Sequence, residues 1–156
     1  MIEVIEKKNR NRMMNKIRLE FAAVSDNESF ARMVVAAFIT PLNPTLEEMS
    51  DVKTAISEAV TNAVIHGYEN RNSLEDRVFM ECMLQGDVLE VEISDRGVGI
   101  EDVRLAMEPL YTSKPEQDRS GMGFAFMEAF MDNLEVESEV GCGTLVRMCK
   151  KICISS

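Results

Sequence analysis

The chain of 156 residues has one histidine, no tryptophan, four cysteines and no CxxC pair. A lone imidazole excludes multi-histidine metal centres, and a Ser–His–Asp triad would have to be built on His66. Cys82, Cys142, Cys149 and Cys153 lack the spacing of a zinc site and read as free thiols of a reducing compartment. No apolar run approaches the ~18 residues of a membrane span, and the start, Met1 to Arg10, lacks the apolar stretch of a signal peptide. These absences predict a cytoplasmic protein with no membrane contact. Basic residues are also in deficit: 17 Lys+Arg against 27 Asp+Glu leave a net charge of −10. That balance argues against direct nucleic-acid binding, which needs a basic surface to displace counterions. It leaves room for a basic protein partner, or for a nucleotide held in a site of different local charge.

What is present is an ordinary globular balance, 46% hydrophobic and 28% charged, at a length suited to one domain. Residues 1–15 are polar without a sustained period and read as a flexible leader, 16–152 as the domain and 153–156 as a tail. From Lys16, the residues Ile17, Leu19 and Phe21 alternate with charged neighbours, as in a half-buried strand. Ser25 to Glu28 offers N-cap chemistry for a helix that stops before Pro41. Thr45 and Glu48 form a capping box for a second helix, which runs to a stop at Gly67. Alternation over Val78–Leu84 and Val88–Ser94, joined at Gln85 to Asp87, predicts a hairpin. A helix is expected from about Gly123 to Asp132, followed by strands Leu134–Val140 and Thr144–Cys149. The order β-α-α-β-β-α-β-β predicts an α+β fold, a two-layer sandwich with helices on one face of a mixed, mostly antiparallel sheet.

Three segments carry residues suited to chemistry. In the second helix, Glu58 and Asn62 are four apart and share one face with His66. A carboxylate and an amide oxygen one turn apart can divide two tasks, one orienting a nucleophile and one ligating a hard cation such as Mg²⁺. The second segment is Asp95 to Ile100, a DxGxG pattern directly after a strand. Its Asp can accept from an exocyclic amine, and Gly97 and Gly99 permit close approach or positive φ. The third is Arg119 to Phe124, with Gly121 and Gly123 before a helix whose free N–H groups suit phosphate. Arg119 and Lys114 can add positive charge there. Taken singly, these are also a polar stripe, a tight turn and a glycine-containing helix start. His66 reads as structural, near a helix end.

In this order the three segments resemble the N, G1 and G2 boxes of the GHKL nucleotide-binding superfamily. The stretches Ser29–Arg32, Ser57–Tyr68, Pro109–Glu116 and Arg119–Phe124 narrow the resemblance to the anti-sigma F factor family of endospore-forming bacteria, over about Lys16 to Ile152. That resemblance implies the GHKL type of sandwich and an ATP-dependent protein-serine kinase using ATP/ADP and Mg²⁺. It implies a sporulation sigma factor and an anti-anti-sigma factor, phosphorylated on serine, as partners, and a homodimer. A nucleotide-gated switch between partners without phosphotransfer is the alternative. By the same resemblance Glu58 is the catalytic base, Asn62 the Mg²⁺ ligand, and Asp95 the acceptor of the adenine amine. Gly97 and Gly99 shape the adenine pocket, and Thr144 supports the base through water. Ser113, Lys114, Ser120, Gly121, Met122, Gly123 and Phe124 fall in the ATP lid and phosphate-binding turn. Arg119 reaches the γ-phosphate, and Arg32 is a partner-binding residue.

Overall fold

The computed structural model describes residues 14–109 and 122–152. Strand β1 (Met14–Ala22) leads into helices α1 (Asp26–Ile39) and α2 (Leu46–Asn62). The hairpin β2 (Arg77–Gln85) and β3 (Val88–Asp95) follows, then a single turn of helix, α3 (Val103–Ala106). Helix α4 (Gly123–Phe130) and the hairpin β4 (Asn133–Glu139) and β5 (Gly143–Lys151) complete the fold. The expected leader ends earlier than its polarity suggests: Met14 and Asn15 already belong to β1, paired with Gln85 and Leu84.

Side-chain alternation builds the core. Strand β2 buries Val78, Met80, Cys82 and Leu84, and β3 buries Leu89, Val91 and Ile93, so one face of the sheet is apolar. Helices α1, α2 and α4 cover it with Val35 and Ile39, with Val52, Ile56 and Val60, and with Met127. Each such side chain contributes roughly 1.5–3 kcal/mol relative to an exposed one. Among the described cysteines none is in a disulfide. Burial pushes the Cys82 thiol up to about 12, which keeps it an inert apolar group.

The sheet order is β1-β2-β3-β5-β4, and each pairing is antiparallel. This corrects the expected mixed sheet. Two helices carry the chain out and back between β1 and β2, so β2 enters beside the end of β1 and runs against it. Helix α4 leads into β4, which runs in the direction of β3; β5 inserts between them and leaves no parallel neighbours.

Helix ends differ in how well they follow local sequence. Thr45 caps α2 as expected: its hydroxyl accepts from Glu48 N–H at 3.1 Å, and the Glu48 carboxylate accepts from Thr45 N–H at 2.9 Å. Thr45→Ala is expected to lower stability by about 1 kcal/mol, read as a shift of the urea midpoint at unchanged slope. Ser25 makes no side-chain cap at α1, and the Asn27 amide instead donates to the Ala22 carbonyl at 2.9 Å. The helical run ends at Gly67 as expected, though without a left-handed residue. Helix α2 passes into a π-turn, Ala63–Gly67, that ends at Tyr68 with ordinary negative φ. Among the described residues, no helix is long and apolar enough to cross a membrane.

Candidate functional site

The alternation that makes the sheet apolar also puts a carboxyl on its inner face. Asp95 follows Leu89, Val91 and Ile93 in the buried set of β3 and is only 8% exposed. Register places it opposite Thr144 of β5, and Thr144 opposite Ser138 of β4. The next row inward is Met80, Ile93, Val146 and Val136, all apolar. Across β3, β5 and β4 a polar row therefore ends the apolar face, at the edge where α2 ends and α4 begins, while β2 puts Val78 opposite Asp95.

Burial pushes the Asp95 carboxyl up from 3.8 to about 6, while N–H donation from Gly97 and Thr144 pulls it down. Gly97 N–H lies 2.9 Å from Asp95 Oδ1. Around this acid three backbone segments pack without room for side chains. A Cβ at Gly67 would come 2.9 Å from the Asp95 carboxyl. A Cβ at Gly97 would overlap the Gly67 carbonyl, and one at Gly143 the Asp95 carbonyl. Gly97 thus serves close approach within the protein; Gly99, at φ +77°, needs the left-handed region, where glycine is favoured. The adjoining Val98 N–H donates to Gly67 O at 2.9 Å, tying the loop to the end of the helix. Gly97→Ala is expected to cost about 3 kcal/mol and to weaken nucleotide binding with it, because the clash is with backbone that no rotamer relieves. Denaturation and equilibrium titration measure the two effects.

Above Asp95 opens a cavity of about 680 Å³. Its walls include Asn62 and His66 from α2 and its π-turn, Gly99 and Ile100 from the loop after β3, Phe124 from α4, and Thr144. The volume suits a ligand of nucleotide size. Gly123, the first residue of α4, faces the α2 stripe: a Cβ there would sit 3.1 Å from Asn62 Oδ1 and 3.2 Å from Glu58 Oε2. The two polar groups are therefore on one side of α2, as their spacing predicts, and both meet the N-terminus of α4. Asn62 lines the cavity, whereas Glu58, half-buried, lies one turn beyond its lining. Met122 precedes α4 without a side-chain cap, and Phe124 is buried.

The donor set fits Mg²⁺ of the kind that reaches a protein with its phosphates. Such an ion takes one or two hard oxygen ligands from the protein and the rest from phosphate and water. Asn62 Oδ1 is one such oxygen. Among the described residues no group of three His, Cys, Asp or Glu is disposed to cage a metal by itself.

Arg32 lies on α1, half-exposed, with Nη1 3.4 Å from Glu28 and 3.5 Å from the Ser57 hydroxyl. Ser57 immediately precedes Glu58, so Arg32 belongs to the surface beside the catalytic candidate. Ser113, Lys114, Arg119, Ser120 and Gly121 lie outside the described residues.

Two hydroxyls essential to this geometry are absent from the sequence reading. Tyr68 donates to the Arg77 carbonyl at 2.6 Å and accepts from Arg96 N–H at 2.7 Å, joining the helix end to both sides of the hairpin. Burial raises its phenol above the ordinary range. Ser138 bonds Ile100, Gly143 and Thr144. Its signal was present in the alternation of β4: Leu134 and Val136 face inward, and Ser138 puts a hydroxyl at the next inward position. Tyr68 carries no comparable signal, because its partners are backbone groups remote in sequence.

Residues 21–150 match the family model described as histidine kinase-like ATPase domain. An anti-sigma F factor of Clostridium acetobutylicum is 55% identical over 140 residues, covering 90% of this chain and 96% of that protein. One from Clostridium botulinum is 58% identical over 142 residues, covering 91% and 98%. One from Oceanobacillus iheyensis is 54% identical over 140 residues, covering 90% and 94%. Among solved structures, the RsbU and RsbW domains of a Mycobacterium tuberculosis protein match with a TM-score of 0.62 at 21% identity. That match covers 88% of this chain and 32% of the other, and it bears on the fold alone.

Proposed function

Given that the chain belongs to the anti-sigma F factor family, within the histidine kinase-like ATPases, we propose that it is an ATP-dependent protein-serine kinase that also holds a sporulation sigma factor. Its substrate is a serine of the anti-anti-sigma antagonist. The observation that carries this reading is the buried Asp95 at the end of a nucleotide-sized cavity whose other side presents Asn62, with Glu58 one turn away. A purely apolar binding pocket would need none of the three.

In this reading Asp95 accepts from the adenine amine, and Gly97 and Gly99 hold the loop beside the base. Asn62 takes Mg²⁺, which supplies charge neutralisation across the phosphates. The N–H groups at the start of α4, from Met122 through Phe124, face the phosphates, where the helix dipole favours anions. Arg119 and Lys114 add positive charge to the γ-phosphate, with Ser113, Ser120 and Gly121 in the same segment. Glu58 accepts the proton of the attacking serine as the γ-phosphoryl group passes to its oxygen and ADP departs. Phosphoryl transfer places its largest demand on position and charge, so a carboxylate of ordinary basicity suffices when the proton leaves late.

Arg32 beside Ser57 puts a partner-binding cation next to this chemistry, as a docked protein substrate requires. The net charge of −10 favours encounter with a basic partner such as a DNA-binding sigma factor. Among the described residues strand β1 pairs with β2 alone, and its other edge is the one we assign to a homodimer contact.

Incubation with γ-labelled ATP, Mg²⁺ and the antagonist protein tests the kinase. Label on serine is the expected result. Nucleotide binding without transfer would establish instead a switch that selects partners by bound nucleotide.

A further inference from the structure

Strand β5 places Val146 and Met148 on the covered face of the sheet, and the next position in that alternation is Lys150. Register sets it opposite Leu89, which is fully buried. A lysine here must carry its charge out of an apolar layer on a long stem. The side chain is only 13% exposed, and its ammonium emerges between two helices. Nζ donates to the carbonyl of Phe130, the last residue of α4, at 2.8 Å, and lies 3.9 Å from Asp51 Oδ2 on α2. Helix α4 has no basic residue in its own last turn, so the cation favoured at its C-terminus comes from β5. The phosphoryl-transfer chemistry described above makes no use of this group.

The other end of α4 has a matching contact. There Gly123 meets α2, where a Cβ would sit 3.1 Å from Asn62 Oδ1 and 3.2 Å from Glu58 Oε2. Asp51 and Glu58 are seven residues apart on α2, and so are Gly123 and Phe130 on α4. At 1.5 Å per residue each interval spans about 10.5 Å. The two helices thus run antiparallel and are matched at both ends, by a glycine contact at one and by Lys150 at the other. Between those ends the wholly buried side chain of α4 is Met127. Methionine is unbranched and adaptable, and it resists sliding along the axis less than a directed hydrogen bond does.

We propose that Lys150 is a positioning residue: by joining the C-terminus of α4 to Asp51 it sets the register of α4 along α2. It thereby holds the N-terminal N–H groups of α4 at a fixed place relative to Asn62 and Glu58. The inference rests on the nucleotide reading above and adds to it a residue at the far end of α4, outside the cavity lining. The effect reaches the phosphates because a helix of eight residues moves as one body, so a slip at Phe130 is also a slip at Gly123. The Asp95 end of the cavity is built from β3, β5 and the loop after β3, and it holds a base whatever the register of α4.

The test compares ATP with adenosine, each titrated at equilibrium into the full chain in Mg²⁺. Lys150→Met keeps the apolar stem and removes the donor. It is expected to lower ATP affinity about tenfold, the scale of one hydrogen bond, and to leave adenosine affinity within about twofold of wild type. A general loss of packing would weaken ATP and adenosine alike, and an unchanged ratio of the two affinities overturns the proposal. Should Lys150→Met fail to fold, Asp51→Asn decides. It removes the α2 half of the tie while leaving the bond to Phe130, and the ratio is expected to fall about threefold, the scale of a partly exposed ion pair. An unchanged ratio in that variant overturns the proposal equally. A wild-type chain that binds neither ATP nor adenosine overturns the nucleotide reading and this inference with it, an outcome distinct from an unaltered ratio.

Discussion

Replacing Glu58 by Gln is expected to lower phosphotransfer about 10²–10⁴-fold while leaving ATP affinity within about threefold of wild type. The amide keeps the size of the side chain and one acceptor oxygen, so the packing of α2 against Gly123 is preserved. What disappears is the capacity to take a proton. Glu58 lies one turn beyond the cavity lining and Asn62 lies within it, so the proposed base and the proposed metal ligand are one helical turn apart. Single-turnover transfer of labelled phosphate and equilibrium titration of ATP measure the two separately. Parallel loss of rate and affinity would show that Glu58 merely holds the Mg²⁺–nucleotide and would move the base elsewhere. By contrast, Asn62→Ala is expected on the same argument to lower ATP affinity in the presence of Mg²⁺.

Asp95→Asn is expected to weaken ATP binding by about 10–100-fold, the scale of a hydrogen bond to a charged group. The cause is specific. Asn has one acceptor oxygen where Asp has two, and Gly97 N–H and Thr144 N–H already claim acceptor capacity at this carboxyl. An amide NH₂ turned toward either of them sets donor against donor. Unchanged affinity would remove the base from Asp95.

The same residue predicts two opposite pH trends. Its folded carboxyl titrates at about 6 against 3.8 ordinarily, so between these values the folded state holds more proton than the unfolded state. Stability of the ligand-free protein therefore falls as pH rises from about 4 to about 6, by about 3 kcal/mol from this one group. Subtracting the denaturation profile of Asp95→Asn isolates that slope, and a flat difference would mean that Asp95 is not desolvated. ATP binding moves the other way. An ionised carboxylate accepts from an amine more strongly than the neutral acid does, so affinity is expected to rise with pH through about 6 in the wild type and to lose that component in Asp95→Asn.

Much of this architecture is legible along the chain because it depends on periods of two and four. Alternation identifies β2 and β3 to within a residue at their ends, and the Thr45 capping box locates the start of α2. The spacing of Glu58 and Asn62 places them on one face, and Gly123 meets both. Local chemistry misleads where a distant group competes. Ser25 has a cap composition, yet the Asn27 amide satisfies the Ala22 carbonyl instead. Gly67 does end the helical run, as its sequence suggests, but its missing side chain also makes room for the Asp95 carboxyl, 28 positions later, which no local signal shows.

Composition excludes a multi-histidine centre, and this follows from residue types that any conformation of the chain would share; the nucleotide enters through the resemblance of the three ordered segments to the GHKL boxes. Strand register is another matter. Only the insertion of β5 between β3 and β4 brings Asp95, Thr144 and Ser138 into one row, since cross-strand partners are set by packing of the whole sheet rather than by neighbours in sequence. That row gathers three scattered polar residues into one hydrogen-bonded set. Sequence puts Asp95 at the end of a strand; the tertiary row decides which polar groups stand beside it.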